Sequence, residues 1–277
     1  MKEFKDKVAV ITGAASGIGF GIAERCAQEQ MKVVLSGINQ DTLDKAEQKI
    51  KATGATILTV RADVSKREDV EALAQKTFDT FGSVHLLVNN AGVGAGSTVW
   101  ESTWADWEWV MGVNFWGVLH GVKVFTPLML AQDTQAHIVN VASIAGLLPN
   151  HLSSPYMVSK HAVVALSEHL YHGLIEQKAK IGVSVLCPGF VQSRIMDYER
   201  NRPSELRNDA SDQQITPERE THIEQYREAV AAARSAKEFA GHVFQAIREN
   251  QLYVLSHPEL NAAVRQRMEN ILEGRNP

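Results

Sequence analysis

Short apolar runs rich in β-branched residues alternate with helix-periodic segments along most of this chain, and that alternation leaves few folds open. Strand-like runs begin at Lys7-Val8-Ala9-Val10-Ile11 and recur at Val33 to Ser36, Thr56 to Arg61, His85 to Val88, His137 to Ala142, Val183 to Cys187 and Leu252 to Leu255. Helical patterns lie between them: from the first turn to Gln30, Asp41 to Thr53, Lys66 to Phe81, a long one from Thr103 to Ala131, one carrying Tyr156 to Lys178, and Ala236 to Glu249. Hairpin signals are missing, so successive strands must return through crossover helices and run parallel. The pattern predicts an α/β fold: a doubly wound, Rossmann-like parallel sheet of about seven strands with helices on both faces. A length of 277 residues suits one such domain, and no second domain is expected. Ligands of such sheets bind beyond the carboxyl ends of the strands. Thr12, Asp63, Asn90, Ser143 and Pro188 all fall there, so residues far apart in sequence are expected to converge.

The first strand runs into Thr12-Gly13-Ala14-Ala15-Ser16-Gly17-Ile18-Gly19 and then a helix. Strand, glycine turn and helix is the context of a dinucleotide-binding loop: glycines let the backbone approach a pyrophosphate, and the helix N-terminus supplies N–H donors. Gly13, Ser16, Gly17, Ile18 and Gly19 are the candidates. A second signal lies in Ser154-Pro155-Tyr156-Met157-Val158-Ser159-Lys160, where a lysine follows a tyrosine by one helical turn. Ser154 suits an N-cap and Pro155 a first helical position. An ammonium beside a phenol favours phenolate, which predicts a Tyr156 pKa below its ordinary value of about 10. A phenol tuned in this way exchanges a proton with a carbinol or carbonyl oxygen, and Ser143 is placed to hold that oxygen.

The glycine spacing, Gly-x-x-x-Gly-x-Gly, is followed in order by Asn89-Asn90-Ala91-Gly92, Asn114, Ser143, Tyr156, Lys160 and Pro188-Gly189. With these motifs the chain resembles the compact single-domain branch of the short-chain dehydrogenase/reductase family, from about Lys7 to Val191 and more loosely beyond. The resemblance implies a nicotinamide-dependent alcohol dehydrogenase or carbonyl reductase. It implies that the Asp63 side chain meets the adenine amino group and the Val64 backbone the ring, while Asn90, Ala91 and Gly92 let the cofactor pass close. It implies that Lys160 also binds the nicotinamide ribose, that Asn114 holds a water in a proton relay to Lys160, and that Pro188, Gly189, Val191 and Ser193 pack on or bind the nicotinamide carboxamide. Gly37 stands where NAD-selecting members carry an acid. Without that acid a 2′-phosphate is not repelled, and Ser36 and Asn39 offer room and polarity, so NADP is slightly preferred over NAD with weak discrimination. A homodimer or homotetramer is implied too.

Substrate-facing candidates are Gly94, Ala95, Ala145, Leu148, His151 and Met196, which suggest a mostly apolar pocket for a secondary alcohol, ketone or hydroxysteroid. The polar stretch from Arg194 to Glu228 follows directly on the Pro188-Gly189 turn and reads as a substrate lid over 190–228. The tryptophans cluster between Trp100 and Trp116; Trp100, Trp104 and Trp107 recur at helical spacing and predict a buried face, for core or subunit contact rather than an aromatic substrate wall. A net charge of -4 without a basic block argues against nucleic-acid binding. No apolar run approaches a membrane span, and the polar N-terminal residues point to a cytoplasmic protein. Cys26 and Cys187 are expected to be reduced and buried, and the histidines show no metal-ligand spacing. Two other functions stay open: reduction of an imine or enoyl bond on the same fold, and a cofactor-sensing protein without turnover.

Overall fold

The computed structural model describes residues 1–149, 153–209 and 217–276. Seven parallel strands form one sheet in the order β3-β2-β1-β4-β5-β6-β7: Val8–Thr12, Lys32–Gly37, Ile57–Arg61, Leu86–Asn89, Ala136–Val141, Ile181–Leu186 and Tyr253–Val254 for β1 to β7. The first half winds outward from β1 to β3 and the second from β4 to β7. The order therefore reverses between β1 and β4, which pair in register from Ala9 with Leu86 to Ile11 with Val88. A crevice opens at such a reversal.

The central strands β1, β4 and β5 are buried on both faces, as their continuous apolar runs require. Ala9, Ile11, Val33, Leu35, Leu86 and Val88 face α1 (Gly17–Gln28), α2 (Gln40–Lys51) and α8 (Ala236–Glu249). Val8, Val10, Val34 and Leu87 face the opposite layer, built by α3 (Arg67–Phe81), α5 (Gly117–Ala131) and the end of α6 (Ser154–Glu176). This is the period-two alternation of a strand placed between two helical layers.

The expected long helix between β4 and β5 is broken. It begins as α4 (Trp104–Met111), widens into a π turn over Gly112–Trp116 and continues as α5. The Asn114 side chain lies in the π turn and bonds the backbone of Val93, and a Cβ on Gly117 would stand 2.7 Å from Val64 Cγ2. These two contacts hold the widened turn against its neighbours, and such turns concentrate at functional sites. Within one chain the tryptophans at that spacing do not form a core face. Trp100 and Trp104 are 83% and 90% exposed, while Trp109 is the tryptophan of α4 buried against the loop after β4. Two further helices lie where the sequence pattern assigned none: α7 (Pro217–Ala232), which begins within the polar excursion, and α9 (Asn261–Leu272).

Candidate active site

A cavity of about 1120 Å³ runs along the carboxyl edge of the sheet. Lining it are Gly13, Ser16, Gly17, Ile18, Gly37, Asn39, Asp63, Val64, Asn90, Ala91, Gly92, Ser143, Tyr156, Lys160, Pro188, Gly189, Val191 and Ser193. Gly94, Ala95, Ala145, Leu148 and Met196 line the same space, so the proposed substrate side adjoins the proposed cofactor side. His151 lies outside the described residues. Asn114 and Gly19 do not border the cavity but brace residues that do.

The glycine turn is tied to the end of β4 by two side chains. Thr12 Oγ1 accepts from the Asn90 and Ala91 N–H groups at 2.9 and 3.1 Å, and the Asn90 amide donates back to the carbonyls of Thr12 and Gly13. Gly13 and Gly17 sit at φ 62° and 55°, the left-handed region open to glycine. At Gly19 a Cβ would stand 2.5 Å from the Gly13 carbonyl oxygen and press on the Asn90 amide. The α1 N-terminus carries no side-chain cap and no acid in its first turn. Its leading N–H groups and the positive end of its dipole therefore face the cavity uncompensated, which fits a bound pyrophosphate.

Further along the edge, Asp63 Oδ1 accepts from the Ser65 N–H and hydroxyl at 3.0 and 2.7 Å, which fixes the turn after β3. Asn39 caps α2, accepting from the Thr42 N–H at 3.0 Å. Ser36, expected to help accommodate a phosphate, is instead fully buried under the sheet edge and does not reach the cavity. Gly37 has ordinary φ, and a Cβ there meets only the Leu43 side chain at 3.5 Å. Glycine at this position is therefore not required by the backbone.

Ser143, at the end of β5, and Tyr156 and Lys160, on successive turns of α6, meet at the middle of the cavity. Ser143 lies close enough to the Tyr156 phenol to favour its ionised form. Lys160 Nζ lies 5.5 Å from the centroid of the Tyr156 ring and donates to the Val141 carbonyl at 2.9 Å. The fall predicted for the Tyr156 pKa is not what the structure gives. Burial raises the phenol, offset in part by Ser143, and burial pushes the Lys160 ammonium down to about 8. The reason is geometric: Nζ stands over the ring and points at a carbonyl, so desolvation outweighs the attraction expected from sequence spacing. At neutral pH the pair is an ammonium beside a neutral phenol, a proton donor ready for an oxygen in the cavity.

Asn114 is fully buried; its amide donates to the Val93 carbonyl at 2.9 Å and to Ser159 Oγ at 3.1 Å. A Cβ on Gly92 would lie 3.4 Å from Asn114 Oδ1 and 3.6 Å from Lys160 Nζ, so both groups border the same gap. Cys26 and Cys187 are free and buried, and burial raises the Cys187 thiol to about 12, which leaves it inert as a nucleophile.

His257 was not singled out from sequence. Its Nδ1 accepts from the Gly189 N–H at 3.1 Å and its Nε2 faces the Phe190 carbonyl at 3.1 Å. One ring thus fixes the turn after β6, and no local motif marks a histidine sixty-eight positions downstream as its partner. Trp109, Tyr198 and Tyr226 also line the cavity, the last stacked edge-on against Phe190 at 5.2 Å.

The short chain dehydrogenase family matches residues 7–204, and the chain belongs to that family. It is 37% identical over 273 residues to a CLA biosynthesis dehydrogenase/reductase of Lactiplantibacillus plantarum, covering 98% of this chain and 95% of that one. It is 31% identical to a C alpha-dehydrogenase of Sphingobium, over 99% of this chain and 88% of the relative. Among solved structures, a short chain dehydrogenase/reductase of Burkholderia phymatum in complex with NAD superposes with a TM-score of 0.96 at 48% identity, covering 100% of this chain and 98% of that one. The protein is thus an oxidoreductase of the short-chain dehydrogenase/reductase family.

Proposed function

We propose that the protein transfers a hydride between a nicotinamide cofactor and a secondary alcohol or ketone, with Tyr156 as general acid and base. The observation that carries this reading is the meeting of Ser143, Tyr156 and Lys160 in one cavity with the open N-terminus of α1. When bound, the cofactor supplies the hydride acceptor or donor, its nicotinamide ring. Gly13, Ser16, Gly17 and Ile18 hold its pyrophosphate, with Gly19 packed beneath Gly13; Gly37, Asn39, Asp63 and Val64 its adenosine; Asn90, Ala91 and Gly92 its path across the sheet edge; and Pro188, Gly189, Val191 and Ser193 its nicotinamide end. The NAD complex of the Burkholderia relative supports NAD, while the absence of an acid at Gly37 leaves room for NADP, so both cofactors are expected to bind.

In reduction the neutral Tyr156 phenol gives its proton to the carbonyl oxygen while Ser143 Oγ holds that oxygen. In oxidation the phenol must first be deprotonated and then takes the carbinol proton. Lys160 supplies positive charge beneath the ring and binds the ribose, and Asn114 holds Val93 in place and borders the route by which Lys160 is reprotonated. Of the stretch 190–228, residues 210–216 lie outside the described residues; the rest acts as a lid over an apolar substrate, supported by the cavity-lining positions of Met196, Tyr198 and Tyr226. Exposed apolar side chains on α5 and α6, Leu128, Val158 and Ile175, support self-association as a homodimer or homotetramer. The test is a panel of secondary alcohols and ketones with NAD and NADP in both redox states, followed by the absorbance of the reduced nicotinamide. Turnover restricted to imines or enoyl compounds, or cofactor binding without turnover, overturns the reading.

A further inference from the structure

Arg202 follows the turn over Ile195–Asn201, yet its side chain is only 2% exposed. Every nitrogen of its guanidinium has a partner. Nη2 donates to Asp106 Oδ1 at 2.7 Å and to Asn208 Oδ1 at 3.0 Å, Nη1 to Glu199 Oε1 at 3.0 Å, and Nε to the Leu206 carbonyl. Asp106 is equally committed. Its Oδ1 also accepts from the Asn208 amide at 3.0 Å, and its Oδ2 accepts from the Thr103 N–H in the capping box that opens α4. The guanidinium carbon lies 5.0 Å from the centroid of the Trp109 ring, and Trp109 in turn meets Tyr198 at 6.4 Å.

This network reaches the cavity through Trp109. Trp109 and Tyr198 line the cavity, and their apolar cluster packs against the ring of Tyr156. Gly94 faces Tyr198 with no side chain between, since a Cβ there would stand 3.9 Å from Tyr198 Cδ1. A buried ion pair carries a desolvation penalty that makes it weak as a source of stability, whereas its fork geometry fixes position and register. The fork thus ties the stretch after Ile195 to α4 at a fixed register.

The structure assigns to the Asp106–Arg202 pair the positioning of an aromatic wall, Trp109 with Tyr198, that sets the size of substrate accepted beside Tyr156. Asp106 and Arg202 touch neither substrate nor cofactor in this account; they act through the wall. The inference rests on the alcohol and ketone chemistry proposed above.

The experiment compares wild type with Asp106→Asn, Arg202→Lys and Tyr198→Ala on a series of secondary alcohols of increasing bulk. In all three variants the ratio of kcat/KM between the preferred and the poorest member of the series is expected to fall at least tenfold. KM for the preferred alcohol rises while kcat changes less than threefold, and cofactor affinity stays within twofold. Tyr198→Ala removes the wall but leaves the ion pair intact, so it must reproduce the loss of discrimination without the loosening. Hydrogen exchange on the cofactor-free proteins provides a readout without turnover: Asp106→Asn and Arg202→Lys accelerate exchange over 195–209 and leave β1, β4 and β5 unchanged. A lowered melting temperature with an unchanged size ratio overturns the inference, as does unaltered exchange over 195–209 or an unchanged ratio in Tyr198→Ala. If Asp106→Asn does not fold, Arg202→Lys and Tyr198→Ala decide. If wild type turns over no alcohol or ketone, the proposed function falls, and the exchange measurement still decides whether the pair positions the wall.

Discussion

The two sides of the cavity are held by different means. On the proposed cofactor side the main chain is the surface, braced by the Thr12 hydroxyl and the Asn90 side-chain amide, and glycines pack so closely that a single added carbon would collide. On the proposed substrate side, side chains form the surface as well as the brace. Arg202 reaches Asp106 across 96 positions, Phe190 meets Tyr226, and His257 props the turn at Gly189. A surface built from backbone admits few sequences and tolerates one ligand shape. A surface built from side chains can be re-cut residue by residue, which is how one fold serves many substrates.

That contrast can be broken at the point where the two sides meet. Lys160→Met keeps the volume of the buried stem but removes the ammonium. Hydride transfer is expected to fall by about 10²-fold or more, with weaker cofactor binding as well, because Lys160 serves both sides. Activity equal to wild type in steady-state assays would remove the lysine from the mechanism. The pH dependence sharpens the same point. Burial holds the phenol above its ordinary value, so oxidation, which needs the deprotonated form, should gain up to about tenfold per unit as pH rises from about 7. The slope should ease near 8, where Lys160 loses its charge. Reduction uses the neutral phenol and should show no such gain. An oxidation rate that falls over this range contradicts the assignment.

Smaller effects separate the sides further. Gly19→Ala places a methyl group against the Gly13 carbonyl, a strain of about 1–3 kcal/mol, and is expected to weaken cofactor binding by about tenfold while leaving the size preference for substrates intact. Calorimetric titration with cofactor checks it. Gly37→Asp meets only the Leu43 side chain, so the fold should accept it. The new carboxylate repels a 2′-phosphate, and the ratio of NADP to NAD affinity is expected to drop by about tenfold. An unchanged ratio would place the adenosine ribose elsewhere.

The same contrast explains what could be read from the sequence. The strands, their parallel order and the convergence of Gly13, Asn90, Ser143, Tyr156 and Lys160 were legible, because apolar runs and glycine spacings are local signals. The break of the helix at Asn114 was not, since it depends on Val93 and Val64 from other elements. Trp100 and Trp104 kept a helical spacing with Trp107, but Trp104 only opens α4 and Trp100 precedes it; burial fell to Trp109 through contact with Arg202. The polar composition after Arg194 hid α7 and the buried Arg202, because charge in a sequence does not say which charges find partners inside. The direction of the Tyr156 pKa was missed for a related reason: spacing places Lys160 beside the ring, and only coordinates show where its Nζ points.

The central claim is that the Tyr156 hydroxyl moves the proton that accompanies hydride transfer. Single-turnover reduction of a ketone by protein preloaded with reduced cofactor, wild type against Tyr156→Phe, tests it directly. A loss of about 10²- to 10⁴-fold in the transfer step is expected, with cofactor affinity within twofold of wild type. Transfer by Tyr156→Phe at the wild-type rate would contradict it.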